Sequence, residues 1–207
     1  MESLKSAAVC GFNDFLREHQ ATPGEARLTT VLFDDEYLLY CDAAPIAQVL
    51  PLNSETYVPR NSTALLDAIG RTMDALGERL SQTPEPERPG KVIIAILTDG
   101  LENASEHFTW KQIAEKIRHQ RNQYSWEFLF LGANQDAIAT AAQMNISADN
   151  SATFAADHHG YGSGTSALSR KTRAMRMAAA MPAEAAPDLQ TSMSELVREE
   201  DQKRRKP

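Results

Sequence analysis

Hydrophobic residues recur along the first part of the chain at two spacings, which predict alternating helices and strands. Helical spacing predicts an amphipathic helix over Ser3–His19 and a second one that begins behind Asn61 or Ser62 as its cap. Two β-rich runs on either side of Asp34–Glu36 predict a β-hairpin. A third helix is predicted after Thr109, where the segment "TWKQ" has the pattern of a capping box.

Two further segments, "VIIAILT" and "WEFLFLGA", are apolar at nearly every position. Strands of this kind are typical of parallel sheets that helices cover on both faces. The predicted order is helix, hairpin, helix, strand, helix, strand, helix, strand. This order predicts an open, mostly parallel α/β sheet with crossover connections.

The composition changes after Asp157, and this change suggests three regions. Residues 1–157 are predicted to form the α/β domain. Residues 158–181 are predicted to be a flexible loop, "HHGYGSGTS", followed by a possible helix. Residues 182–207 are rich in charge and proline and are predicted to be a disordered, charged tail.

Charge and composition narrow the classes of partner. The net charge of −7 argues against a broad nucleic-acid surface, and no apolar run reaches the ~18 residues of a membrane span. No secretory signal opens the chain, and Cys10 and Cys41 have no disulfide or metal-binding pattern. We therefore expect a cytoplasmic protein that binds neither nucleic acid nor a membrane.

Asp99 stands directly after the apolar run Val92–Thr98, at the sheet edge where open α/β folds bind ligands. Gly100 would let the backbone turn there, and Thr63 could project a hydroxyl from a neighbouring loop. Carboxylate and hydroxyl oxygens are ligands for Mg²⁺ or Ca²⁺. On these residues alone, an ordinary Asp-Gly turn and an ordinary helix cap account for the pattern at least as well.

Four segments, "GFNDFL", "RNSTALLDAIG", "VIIAILTDGLENAS" and "WEFLFLGANQDAI", together resemble a von Willebrand factor A-like (VWA) domain of bacterial or phage type. The resemblance covers most of residues 1–157. It implies a doubly wound sheet with a metal-ion-dependent adhesion site at its carboxyl edge. The threonine of that site corresponds to Thr63 and its aspartate to Asp99.

The family's Asp-x-Ser-x-Ser motif and the central strand before it have no counterpart in this sequence. We expect that Met1 lies just after that loop, so the hairpin and the Val92–Thr98 strand would lack the strand between them. Thr63 and Asp99 supply two of the roughly six oxygens that Mg²⁺ requires. Binding of Mg²⁺, or of Mn²⁺ or Ca²⁺, is therefore expected to be weak or absent.

The resemblance implies a protein-binding module rather than an enzyme, with a bound cation that recognises an Asp or Glu of a protein partner. Rim residues that would select the partner are Arg60, Asn61, Glu102 and Asn103, although a solvated loop explains them equally well. Two alternatives stay open. One is a metal-free adaptor with a degenerate site; the other is a metal-dependent hydrolase, for which the sequence offers no sharp nucleophile or base.

Overall fold

The computed structural model of the protein describes residues 2–60, 62–133, 136–178 and 186–206. In these residues the chain has a mixed α/β fold. The strands are β1 (Arg27–Phe33), β2 (Tyr37–Pro45), β3 (Ile93–Thr98), β4 (Glu127–Ala133) and β5 (Ser151–Phe154). The helices are α1 (Glu2–Gln20), α2 (Leu65–Gln82), α3 (Trp110–Tyr124), α4 (Ala137–Gln143), α5 (His158–Met177), α6 (Pro187–Gln190) and α7 (Met193–Arg205).

The strands form two separate sheets. β1 and β2 pair antiparallel as the predicted hairpin, with Phe33 opposite Tyr37 across the turn. β3, β4 and β5 form a parallel sheet in that order, and helices connect their ends as the sequence predicts. Within the described part of the chain, the two sheets share no ladder.

Helices cover both faces of the parallel sheet. Alternate residues of β4 point to opposite sides, because side chains alternate along a strand. Phe128 and Phe130 pack with α2, α3 and α4, whereas Leu129 and Leu131 pack with α1, α5 and α7. All four are fully buried, so β4 lies at the centre of the core.

The prediction of a flexible loop after Asp157 is wrong, because α5 begins at His158. The Asp157 carboxylate caps the helix by accepting the backbone N–H of Gly160 at 2.7 Å, and this bond lowers the pKa of Asp157. A Cβ on Gly160 would clash with the backbone oxygen of Ala155. The glycine therefore permits close packing of the helix start rather than flexibility. Residues 179–181, the end of the predicted loop and helix region, lie outside the described residues.

The prediction of a disordered tail is wrong for residues 187–205, which form α6 and α7. Met193 and Leu196 are fully buried against the sheet and α5. Arg170 of α5 adds ion pairs to three acidic residues of this region, namely Asp188, Glu199 and Glu200. Residues 158–178 and 186–206 thus pack on the same core as the preceding domain, while residues 182–185 and 207 lie outside the described residues.

No helix in the described ranges is long and apolar enough to cross a membrane.

Candidate functional site

Three loops meet at the carboxyl edge of the strands. Asp34 follows β1, Thr63 precedes α2, and Asp99 follows β3. The backbone N–H of Ala64 donates to the carbonyl of Asp34 at 2.6 Å, which ties the hairpin to the start of α2. The Thr63 side chain lies against Gly100, so the two residues that the sequence singled out stand on adjoining loops.

Gly100 is required by this close approach. A Cβ at this position would clash with the Thr63 hydroxyl oxygen. Any larger residue would push the Thr63 loop away from the strand end. The Asp-Gly pair therefore does more than turn the backbone, since its glycine lets the Thr63 hydroxyl approach the turn closely.

Asp99 is exposed, and one of its oxygens accepts a hydrogen bond from a residue that sequence reasoning missed. The Tyr161 hydroxyl donates to Asp99 Oδ2 at 2.8 Å. Tyr161 is only 1% exposed and packs edge-on against Phe154. Burial, with the charge of Asp99, raises the pKa of Tyr161 well above its usual range, so the phenol stays protonated and remains a donor.

The sequence did contain a signal for Tyr161. Buried residues of α5 recur at helical spacing from that position: Tyr161, Thr165, Leu168, Thr172 and Met175. Because two glycines and small hydroxyl residues lie among them, the segment has the composition of a flexible linker. Their small size instead lets α5 pack closely against its neighbours.

Negative charge is concentrated at this edge. Burial and the charges of Asp99 and Asp34 raise the pKa of Tyr57 to about 12, so this phenol also stays neutral. Desolvation by itself would raise the pKa of Asp34, but the Glu36 N–H and the Arg60 guanidinium outweigh it and lower that pKa. The carboxylates of Asp34 and Asp99 therefore both act on Tyr57.

Arg60, a predicted rim residue, bridges two acidic residues of the hairpin turn. Its Nε lies 2.6 Å from Asp34 Oδ2, and its Nη2 lies 2.6 Å from Glu36 Oε2. Glu36 is exposed in this pair, whereas Asp34 is largely buried. Arg60 thus compensates the buried charge of Asp34, and a partner carboxylate would have to compete with these two.

Two other predicted rim residues, Glu102 and Asn103, hold the start of α2. Asn103 Oδ1 accepts the Thr63 N–H at 2.9 Å, and the Asn103 N–H donates back to the Thr63 carbonyl. Glu102 Oε2 accepts the N–H of Leu66 at 3.0 Å. These bonds place Thr63 firmly beside the β3 loop, and a role in partner contact stays a prediction.

The predicted cap of α2 is wrong. The helix begins at Leu65 with Ala64 at the cap position, and Ala64 makes no side-chain cap bond. Glu102 and Ser105, which are distant in sequence, accept the helix N–H groups instead. Asn61, the fourth rim residue and one of the two predicted caps, lies outside the described residues.

The oxygens present suit a hard divalent cation in kind but are few in number. Thr63 offers a neutral hydroxyl and Asp99 a carboxylate, the ligand types that Mg²⁺ takes in proteins. Within the described ranges, no three His, Cys, Asp or Glu residues come together in a way that could hold a metal ion. A cation here would take most of its ligands from water or from a partner.

No protein-family model, curated protein or solved structure matches this chain. The likeness to VWA domains therefore depends on the sequence segments that carry it.

Proposed function

We propose that this protein is a VWA-like binding module, with a doubly wound sheet, that recognises a carboxylate of a protein partner through a divalent cation. The cation would lie between Thr63 and Asp99. The observation that carries the proposal is the meeting of the Thr63 hydroxyl with the Asp99–Gly100 turn, on loops from separate elements. Mutual hydrogen bonds between Asn103 and the Thr63 backbone support it, because they fix the position of the residue that carries the hydroxyl.

The charge balance of this ligand pair favours an anionic partner. One carboxylate and one hydroxyl leave a divalent cation with a net positive charge. Cations that are short of protein ligands keep several waters, which an incoming Asp or Glu can replace. The partner carboxylate would thus complete the coordination, whereas at Arg60 it would have to compete with Asp34 and Glu36.

A metal-free adaptor is the second candidate. Two observations favour it: Asp99 Oδ2 already accepts the Tyr161 hydroxyl, and Arg60 is occupied by Asp34 and Glu36. In this case the same edge would bind its partner through direct hydrogen bonds and ion pairs. The two candidates differ in whether a chelator abolishes binding.

Terbium luminescence distinguishes them. Tb³⁺ prefers the same hard oxygen ligands as Mg²⁺, and nearby excited tyrosines sensitise its emission; Tyr161, which donates to Asp99, would serve here. We expect saturable, tyrosine-excited emission with weak affinity, on the order of 10⁻³ M, in competition with Mg²⁺. Asp99→Asn and Thr63→Val should each weaken binding about tenfold, whereas Glu78→Gln on the exposed face of α2 should leave it unchanged.

Emission that both site variants leave unaltered would refute the cation site. A second measurement tests the carboxylate. The peptide Gly-Gly-Asp-Gly-Gly should lengthen the Tb³⁺ emission lifetime, because it displaces quenching water, and Gly-Gly-Asn-Gly-Gly should not. Equal lifetimes with the two peptides would contradict recognition through the cation.

A further inference from the structure

One side chain connects helix α5 to the candidate site. Tyr161, near the start of α5, donates its hydroxyl hydrogen to Asp99 Oδ2 at 2.8 Å, across 62 positions of the sequence. The donor is buried, with 1% of its surface exposed, whereas Asp99 is exposed. One oxygen of this carboxylate is therefore bonded to the core, while the residue as a whole stays accessible to a ligand.

The Tyr161 ring has little freedom to move. It packs edge-on against Phe154, with 5.0 Å between the ring centroids and 70° between the ring planes. Its backbone is held as well, because its N–H donates to the Asp157 carbonyl at 3.0 Å and its carbonyl accepts the Thr165 hydroxyl at 2.8 Å. A donor held at several points can fix the orientation of an exposed carboxylate, and this is how hydrogen-bond partners of metal ligands act.

A carboxylate that has one oxygen engaged presents a cation with the other oxygen alone. Mg²⁺ requires nearly octahedral geometry, with its oxygens at about 2.0–2.1 Å. The two oxygens of one carboxylate lie closer together than neighbouring corners of so small an octahedron, so Mg²⁺ favours one oxygen from each carboxylate. Ca²⁺ is larger, takes about 6–8 oxygens and binds both oxygens of one carboxylate. Engaging Asp99 Oδ2 therefore removes a ligand that Ca²⁺ would use and Mg²⁺ would not.

The other predicted ligand, Thr63, offers a single side-chain oxygen. Its hydroxyl lies against Gly100, directly after Asp99, and its backbone is fixed by Asn103. A cation bound by these two residues would thus take one oxygen from each and the remainder from water or a partner. This pattern suits Mg²⁺, which keeps several waters in protein sites, better than Ca²⁺, which takes more oxygens from the protein.

We propose that Tyr161 is a positioning residue of the cation site between Thr63 and Asp99, and that it makes this site select Mg²⁺ over Ca²⁺. This role rests on the cation-binding function proposed above. The phenol holds Oδ2 of Asp99, so the cation is bound through Oδ1 alone. Helix α5 thereby determines which cation the loop after β3 accepts, although Tyr161 does not touch the cation.

The test measures the affinity of the full chain for Mg²⁺ and for Ca²⁺. Each cation displaces bound Mn²⁺, which takes the same oxygen ligands, and electron paramagnetic resonance reads the free Mn²⁺. This signal does not depend on tyrosine emission, so it remains valid when Tyr161 is replaced. Tyr161→Phe removes the hydroxyl and keeps the ring. We expect it to raise the Kd for Mg²⁺ about tenfold and to change the Kd for Ca²⁺ less than about threefold.

Tyr37→Phe is the matched control. The Tyr37 hydroxyl lies 3.1 Å from the Thr72 hydroxyl of α2, so this variant also removes one tertiary hydrogen bond from a tyrosine. Both variants should fold, with similar small decreases in Tm. Tyr37→Phe should leave both cation affinities unchanged. A purely structural role of Tyr161 would lower the Tm without changing the ratio of the Mg²⁺ and Ca²⁺ affinities.

The wild-type chain supplies a second measurement that requires no variant at position 161. The carbon-13 signal of Tyr161 Cζ responds to the hydrogen bond of the hydroxyl. Saturating Mg²⁺ should leave this signal at its hydrogen-bonded position, because the cation binds the other oxygen of Asp99. Movement of the signal to the position of a free phenol would contradict the proposal, even if Tyr161→Phe failed to fold.

Two further results would overturn the proposal, and Asp99→Asn separates them. Cation binding that Asp99→Asn weakens but in which Tyr161→Phe leaves the Mg²⁺ to Ca²⁺ ratio unchanged, or tightens Mg²⁺ binding, overturns the role of Tyr161 alone. In the latter case the phenol competes with the cation. Binding that Asp99→Asn does not change, or no binding at all, overturns the cation site and the role of Tyr161 together.

Discussion

Replacing Leu196 with alanine tests whether the last helix is an integral part of the core. Leu196 is fully buried between α7, α5 and the sheet. The substitution removes three carbon groups, worth about 2.4 kcal/mol at ~0.8 kcal/mol for each buried group. The cavity left behind adds to this loss, so the expected decrease in the free energy of unfolding is about 2.5–5 kcal/mol.

Urea denaturation followed by circular dichroism measures this loss. With an m-value of about 2–3 kcal/mol/M, the midpoint should fall by roughly 1–2 M. Gln202→Ala is the matched control, because Gln202 is exposed on the same helix and its substitution should change stability by less than about 0.5 kcal/mol. The variant Leu196→Ala should still unfold in a single cooperative transition that includes the whole chain.

A decrease in the free energy of unfolding below about 0.5 kcal/mol for Leu196→Ala would refute the packing of α7 on the core. It would favour the predicted disordered tail instead. A large decrease confined to a separate, earlier transition would contradict a shared core. In that case α7 would unfold independently of the sheet.

Three further predictions concern α5, α1 and the loop after β3. Gly160→Ala should destabilise the fold by about 2–3 kcal/mol, because the added Cβ would clash with the backbone. Its control, Gly77→Ala in an uncrowded part of α2, should raise stability by about 0.5–1 kcal/mol. Equal or reversed effects in thermal unfolding would contradict this prediction. Burial and two nearby arginines lower the pKa of His19 from 6.5 to about 4, so the unfolded chain binds this proton more readily and stability should fall by about 3 kcal/mol as the pH drops from 6.5 to 4. The His19→Gln variant should lose correspondingly less stability across this range, and an unchanged pH profile from denaturation would count against the assignment. Asp67→Ala removes a carboxylate that accepts three consecutive backbone N–H groups, among them that of Phe108 at 2.8 Å; stability should fall by about 1.5–3 kcal/mol, and hydrogen exchange that stays slow in this loop would argue against the role.

The buried position of His19 also indicates how α5 is attached to the rest of the fold. Arg176 donates to Nδ1 at 2.8 Å, so Nε2 carries the proton and donates to the Thr172 hydroxyl at 2.9 Å. Phe15 stacks on the ring from the preceding turn of α1. A proton on Nδ1 would break the bond to Arg176 and place two cations together, which explains why acid should weaken the α1–α5 contact.

Local patterns in the sequence were sufficient wherever the stabilising interactions are close along the chain. The Thr109–Gln112 capping box forms as predicted, and the hairpin turns at the predicted acidic residues. The apolar runs of β3 and β4 form the predicted parallel strands. Each of these features depends on residues within a few positions of one another or on a strong strand pattern.

Prediction failed where distant residues supply the contacts. The start of α2 is capped by Glu102 and Ser105, some forty positions away, so a local search for a cap selected the wrong residues. The segment around Tyr161 is helical because α5 packs closely on Phe154 and α1, and glycine there reflects crowding. The charged C-terminal segment is ordered because its few apolar residues meet a buried face.

The sequence by itself determined the alternation of helices and strands. It also placed Thr63 and the Asp99–Gly100 turn at the carboxyl edge of the sheet. Both results follow from apolar spacing and strand direction, which are local properties of the chain. Only the tertiary structure decided that Tyr161 donates to Asp99 and that Arg60 compensates Asp34. These features depend on contacts between residues far apart in the chain. Such contacts exist only after the helices have packed on the sheet.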